Sequence, residues 1–223
     1  MRPAAAPSSP TPRRRFALAA GSALAALACP ALAAARRTVP GMTDGPFYPP
    51  RAWREQWSDW DADLTQVRRG GQVLAARGEW LGLQLQVADR EGRAIDGCEV
   101  EIWQCDALGA YRHPDVAAEP DRHDPGFQGF GAARSARDGL VVFRTIRPVP
   151  YPGRTPHIHV KLRHRVFGDV TSQLFVAGEP GNARDFLWRR LDAADREALT
   201  LPLQPAAEGG LRWQVRHVLT VPA

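Results

Sequence analysis

The chain has 223 residues, 44% of them hydrophobic, and 29 Lys and Arg against 24 Asp and Glu, a formal net charge of +5. That length accommodates one sizeable domain with its own core, and the composition is ordinary for a globular protein. The arginines are scattered, with no basic helix and no alternation of aromatic and basic residues, so the excess charge does not read as a nucleic-acid surface.

Residues 1–33 read differently from the rest. Arg13-Arg14-Arg15-Phe16 precedes an apolar, alanine-rich run over residues 17–28, then Pro30 and the tripeptide Ala31-Leu32-Ala33. That is the layout of an export signal with an A-x-A-like cleavage site, and the paired arginines fit the twin-arginine type, which exports proteins already folded. The expected destination is the periplasm. A run of about a dozen apolar residues is too short to span a bilayer, so a mature protein starting near Ala34 is expected to carry no membrane span. Cys29 stands beside a poor lipidation signal, because Ala26 occupies the position three before the thiol where leucine is wanted. Arg2, Arg13, Arg14 and Arg15 are the charges of this segment, and its removal would lower the net charge to about +1.

Residues 34–70 form a lead-in rich in Pro, Gly, Asp and Trp, with Thr43-Asp-Gly-Pro-Phe-Tyr-Pro-Pro50 followed by Trp53, Trp57 and Trp60. So many large apolar groups predict an ordered arm that wraps a core, with a short helix at the tryptophans. The same tryptophans offer a surface for homo-oligomerisation. Over residues 71–223 a period of two takes over. Leu81, Leu83, Leu85 and Val87 alternate with small or polar residues, and Cys98, Val100 and Ile102 alternate with Glu99, Glu101 and Trp103. Cys98 and Cys105 lie on one predicted strand, about 23 Å apart at ~3.3 Å per residue, too far for a disulfide. Further strands are expected over residues 140–146, around Ile158 and Val160, over 174–176 and over 211–221, and one or two short helices over 183–198 with Asn182 and Asp192 as caps. The fold class is all-β: a β-sandwich with short helices and an N-terminal wrapping arm.

The stretch PYPGRTPHIHVKL, residues 150–162, carries the chemistry. On an extended strand His157 and His159 share one face and Ile158 points the other way, which begins a metal site. A cupin's glutamate beyond the second histidine is missing, and Lys161 stands where an H-x-H-x-D hydrolase wants aspartate. The three tyrosines, Tyr48, Tyr111 and Tyr151, all sit in Gly- or Pro-rich turns rather than strand interiors. A bound trivalent cation would strip a phenol of its proton, and two phenolates with two imidazoles make a hard site suited to Fe(III). From these residues alone, a zinc or copper enzyme using the histidine pair with Asp106 or His113, or a metal-free, transthyretin-like ligand-binding sandwich, also fits.

Residues 97–113 (GCEVEIWQCDALGAYRH), 143–152 (FRTIRPVPYP) and 154–159 (RTPHIH), in that order, resemble the intradiol ring-cleavage dioxygenases, the group of protocatechuate 3,4-dioxygenase and catechol 1,2-dioxygenase. The resemblance runs from Gly45-Pro-Phe-Tyr48 to about Leu219. It implies one non-haem Fe(III) per chain held by Tyr111, Tyr151, His157 and His159, with Tyr151 the axial phenolate that leaves when a catechol-type substrate chelates. It further implies that Arg154 sits against the bound diol, that Gln173 stands behind the ligands, and that Phe47 and Tyr48 line the substrate mouth. The implied reaction is cleavage of an aromatic diol by O₂ to a cis,cis-muconate-type diacid. One departure is visible: only Pro152 and Gly153 separate Tyr151 from Arg154, a shorter loop than the family usually has, which would open the site or alter the axial position, leaving the ligand set intact and the identity of the substrate open.

Overall fold

The computed structural model describes residues 36–55, 59–114, 122–207 and 209–223. The expectations for the export signal, its cleavage after Ala33, Cys29 and Trp57 lie outside the described residues. Among the described residues no helix is long and apolar enough to cross a membrane.

Two sheets form the sandwich. The first has four strands in the order β10 (Gln204–Pro205), β11 (Trp213–Thr220), β3 (Trp80–Ala88) and β6 (Leu140–Ile146). The second has five, in the order β5 (Phe130–Arg134), β4 (Glu99–Trp103), β7 (His157–His164), β8 (Gly168–Val176) and β9 (Thr200–Leu201). Neighbours are antiparallel except for β11 with β3 and β8 with β9. The expected alternation sets the core. Leu81, Leu83, Leu85 and Val87 are fully buried and share one cluster with Val100, Ile102, Ile158, Val160 and Leu162 of the opposing sheet. Each such side chain contributes about 1.5–3 kcal/mol when removed from water.

The arm belongs to the same core. Val39 and Leu64 are part of the cluster, the short helix α1 (Arg51–Arg54) lies within the arm, and the hairpin of β1 (Gln66–Arg69) and β2 (Gln72–Ala75) follows. Cys98 and Cys105 are both buried and free, as expected from their places at the two ends of β4.

The helical stretch is shorter than its sequence suggests. Asp192 does cap α2 (Ala193–Ala198), accepting from the Asp195 amide at 2.7 Å. Asn182 does not act as a cap; Gly181 holds that position for the 3₁₀ turn Asn182–Arg184. The buried Asn182 amide instead donates to the Val176 carbonyl and its oxygen accepts from Thr155 Oγ1. Asp185 accepts from the amides of Leu187 and Trp188. Such local side-chain bonds compete with a continuous helix.

The parity that sends Val100, Ile102, Ile158 and Val160 inward sends Glu101, Trp103, His157 and His159 to the outer face of the five-stranded sheet. In a plain sandwich that face would meet water. Here Phe47 and Tyr48 of the arm and Tyr151 of the loop before β7 pack against Trp103, Cys105, Tyr111 and Phe130, and a second buried layer results.

Candidate metal centre

Three segments converge on this second layer. Strand β7 brings His157 and His159, 2% and 3% exposed. His157 Nδ1 lies 2.7 Å from the Thr155 carbonyl oxygen, which can only accept, so Nδ1 carries the proton and Nε2 is left with its lone pair toward the cluster. His159 is fixed differently, its ring lying flat on Trp103 with centroids 4.7 Å apart.

Tyr111 follows a turn built by Asp106. That buried carboxylate accepts from the amides of Leu108 at 2.8 Å, Ala110 at 3.0 Å and Asp124 at 2.6 Å. An Asp that mimics backbone in this way fixes the loop and aims the residue after it. Tyr151 enters from a second turn, closed by the Arg154 amide donating to the Tyr151 carbonyl at 2.9 Å. Pro152 supplies the fixed φ of the second position and Gly153, at φ +81°, the left-handed third position of a type II turn. The two-residue spacing seen in the sequence is this turn.

The donor atoms meet. Tyr111 Oη is 3.2 Å from His159 Nε2 and 3.5 Å from His157 Nε2, and the two Nε2 atoms are 3.3 Å apart. Bonds of about 2.0–2.1 Å to one ion, meeting at angles between 90° and 110°, would separate neighbouring donors by about 2.9–3.4 Å. The ring of Tyr151 completes the group at 5.5 Å from both Tyr111 and His157, centroid to centroid. The residues present therefore fit a metal ion with a two-phenol, two-imidazole donor set. Among the described residues no group of three or more His, Cys, Asp and Glu gathers in a metal-holding arrangement. Asp106 is spent on backbone amides, and His113 lies at the edge of Phe47, 6.0 Å between centroids.

Charge is disfavoured on all four groups in the absence of a cation. Burial, reinforced by the nearby Arg154 charge, pulls His157 down to about 4. Burial, then the His157 and Arg154 charges, holds His159 well below the usual imidazole range. Burial and the neighbouring Tyr151 push Tyr111 well above an ordinary phenol. Tyr151 is raised by burial too, against the opposing pull of Arg154. Two neutral imidazoles with free lone pairs and two phenols that ionise only beside a cation are a receptor for a hard metal ion.

Behind the donors, Arg154 donates to Asp185 Oδ2 from Nε at 2.8 Å and to Gln173 Oε1 from Nη2, and its Nη1 lies 3.4 Å from Tyr151 Oη. Gln173 is fully buried, opposite His159 in the β7–β8 register, and its Nε2 has no hydrogen-bond partner among the described residues. Phe47 stacks on Tyr111 at 4.6 Å and 19°. Tyr48, the other arm residue expected at the mouth, turns elsewhere: its hydroxyl donates to the buried Glu101 and accepts from Arg163, and its ring edge meets Trp103. The arm is tied across β7 and β8 by Asp44, which accepts from Lys161 at 2.9 Å and from Thr171. This brings Gly45 so close that a Cβ there would lie 3.4 Å from His159 Cε1.

Sequence reasoning passed over Trp103, Asp185, Asp44 and the loop-building role of Asp106. Trp103 was within reach, since its strand parity matches Glu99 and Glu101. The others act across distances in sequence that only the fold reveals.

The family profile described as Dioxygenase matches residues 44–214. The beta chain of protocatechuate 3,4-dioxygenase from Burkholderia cepacia is 32% identical over 165 residues, covering 68% of this chain and 67% of that protein. Hydroxyquinol 1,2-dioxygenase from Corynebacterium glutamicum is 26% identical over 137 residues, 53% of this chain and 43% of that one. The chain thus spans about two thirds of the first relative and less than half of the second. Among solved structures, the dioxygenase domain of a dioxygenase and carbohydrate-binding fusion from Streptomyces sp. SirexAA-E superposes with a TM-score of 0.61 at 27% identity, covering 84% of this chain and 99% of that one. An intradiol ring-cleavage dioxygenase from Tetranychus urticae shares the fold, with a TM-score of 0.62 at 18% identity over 83% of this chain and 94% of that one. With the donor set in hand and a match that includes all four of its residues, the chain belongs to the intradiol ring-cleavage dioxygenase family.

Proposed function

We propose that this protein is a non-haem Fe(III)-dependent dioxygenase that cleaves a catechol-type aromatic diol with O₂ between its two hydroxyl-bearing carbons, giving a cis,cis-muconate-type diacid. The observation that carries the reading is the convergence of Tyr111 Oη, His157 Nε2 and His159 Nε2 within 3.5 Å of one another, with the Tyr151 phenol alongside. Ferric iron held by these four residues would supply a Lewis acid for the diol to chelate and would couple the diol's electrons to O₂.

The chain's own residues prepare that chemistry. Tyr111, His157 and His159 are buried and braced by Phe47, Thr155 and Trp103, so they hold their positions through a turnover. Tyr151 is only partly buried and sits on a two-residue turn, which suits it to leave and to take the proton from one diol hydroxyl at its Oη. Arg154 is clamped by Asp185 and Gln173, so a fixed positive charge faces the negative charge that grows on the ring. Phe47 and the second layer around it exclude water from the buried side. Residues 1–33 would direct export of the folded, loaded protein to the periplasm, which keeps metal choice inside the cytoplasm.

The test is oxygen uptake by the iron-loaded protein with catechol, protocatechuate and hydroxyquinol. One O₂ consumed per diol with a muconate-type product supports the reading. No uptake with any diol, or a yellow semialdehyde from cleavage outside the two hydroxyl carbons, contradicts it.

A further inference from the structure

Arg184 and Phe186 flank Asp185, the residue that clamps Arg154. Asp185, only 2% exposed, is anchored by Arg154 Nε at 2.8 Å and by the amides of Thr155, Leu187 and Trp188 at 3.1, 2.9 and 3.1 Å. With Asp185 turned inward, its two neighbours are displayed at the surface. Phe186 is 53% exposed, and the Arg154 guanidinium lies 5.2 Å from its ring centroid. Arg184 is exposed, and its guanidinium makes no hydrogen bond or ion pair among the described residues.

A cleft of about 260 Å³ runs between this segment and the turn after Tyr151, its lining including Gly153, Arg154, Gly181, Arg184 and Asp185, whose carboxylate is already spent on Arg154 and backbone amides. A Cβ at Gly153 would meet nothing within 4 Å, so at this position of the turn the cleft stays open. The cleft shares Arg154 with the donor cluster, whose Tyr151 Oη lies 3.4 Å from Arg154 Nη1. An unsubstituted diol has no use for this space. An exposed aromatic ring against Arg154 and, two residues before it, an unpaired guanidinium on the cleft are instead matched to an apolar tail that ends in an anion.

We infer that the substrates are catechols whose ring carries a side chain ending in a carboxylate, with Phe186 against the chain and Arg184 on the carboxylate. This rests on the dioxygenase reading above. Arg184 is then the specificity residue, and the Pro152–Gly153 turn is what lets the tail out.

The experiment compares kcat/KM of the iron-loaded full chain for 3,4-dihydroxyphenylpropanoate, its methyl ester and catechol, in the wild type, Arg184→Gln and Arg184→Glu. The wild type should favour the acid over the ester by about tenfold or more, the scale of one charge-assisted hydrogen bond. That ratio should shrink as salt is raised. Arg184→Gln should bring it to about one, mainly through KM, and Arg184→Glu should invert it. A wild type that treats acid and ester alike, or a preference that survives Arg184→Gln, overturns the assignment while leaving the dioxygenase reading standing. If none of the three is cleaved, this inference falls, and oxygen uptake with protocatechuate and hydroxyquinol decides whether the dioxygenase reading falls with it.

Discussion

The imidazole of His159 lies flat on the indole of Trp103, with centroids 4.7 Å apart and planes 13° apart. Trp103 and His159 face each other in the register of β4 with β7, so the stack is a cross-strand pair on the outer face of the sheet. Trp103 is 1% exposed, and with Gly45 close to Cε1 of His159 it leaves that ring little freedom.

Trp103→Ala is therefore expected to cost about 3–5 kcal/mol in urea unfolding and to lower the iron bound per chain. Trp103→Phe, which keeps a flat ring under His159, should lose less on both counts. Equal iron content in all three proteins would mean that the stack does not position the ligand.

Arg154 is expected to separate binding of the metal from chemistry. Arg154→Ala should retain iron, because the guanidinium is not a donor to it, while turnover per iron falls by about 10²–10³, the usual effect of removing a preorganised group that stabilises developing charge. Metal analysis and kcat on the same sample decide this. Iron lost with turnover per iron preserved would assign Arg154 to the scaffold instead.

Asp44 ties the arm to the sheet, and its contribution should depend on pH. Burial by itself would raise this carboxyl, but hydrogen bonds from Thr171 and Lys161 and the Lys161 charge outweigh it and hold the group below its ordinary 3.8. The folded form thus favours the carboxylate, so the stabilisation is complete above about pH 4 and is lost as the pH falls through the depressed value. Because Asp44 is partly exposed, the effect should stay below about 1 kcal/mol. Urea unfolding of the wild type and Asp44→Asn should differ at pH 6, and the gap should narrow as the pH is lowered below 3.8; a gap that widens on acidification would contradict the assignment.

Much of this architecture is legible in the chain because burial imposes parity on strands. The alternation around Leu81–Val87 and Cys98–Trp103 gave the inward face, and Ile158 between two histidines gave the outward one. Turn chemistry was legible too, since Pro152–Gly153 can form little else. Three things were not. The parallel partnership of β11 with β3 joins residues about 130 positions apart, with no local signal. That only 3₁₀ turns form before Asp192 follows from Asp185 serving Arg154 and nearby amides, a tertiary demand that overrides local helix preference. Tyr48 shares a motif with Phe47 yet turns its hydroxyl toward Glu101 and Arg163, because the chain turns at Pro46–Phe47 and bends at Tyr48, so neighbouring side chains leave it in different directions.

The most direct test of the central claim is the visible absorption spectrum of the iron-loaded protein under anaerobic conditions, before and after a catechol is added, in the wild type and in Tyr111→Phe. The account expects a phenolate-to-iron charge-transfer colour in the wild type that shifts on addition of the diol, and loss of colour together with iron in Tyr111→Phe. A protein that stays colourless after iron loading, or a Tyr111→Phe spectrum identical to the wild type, would contradict the four-residue site.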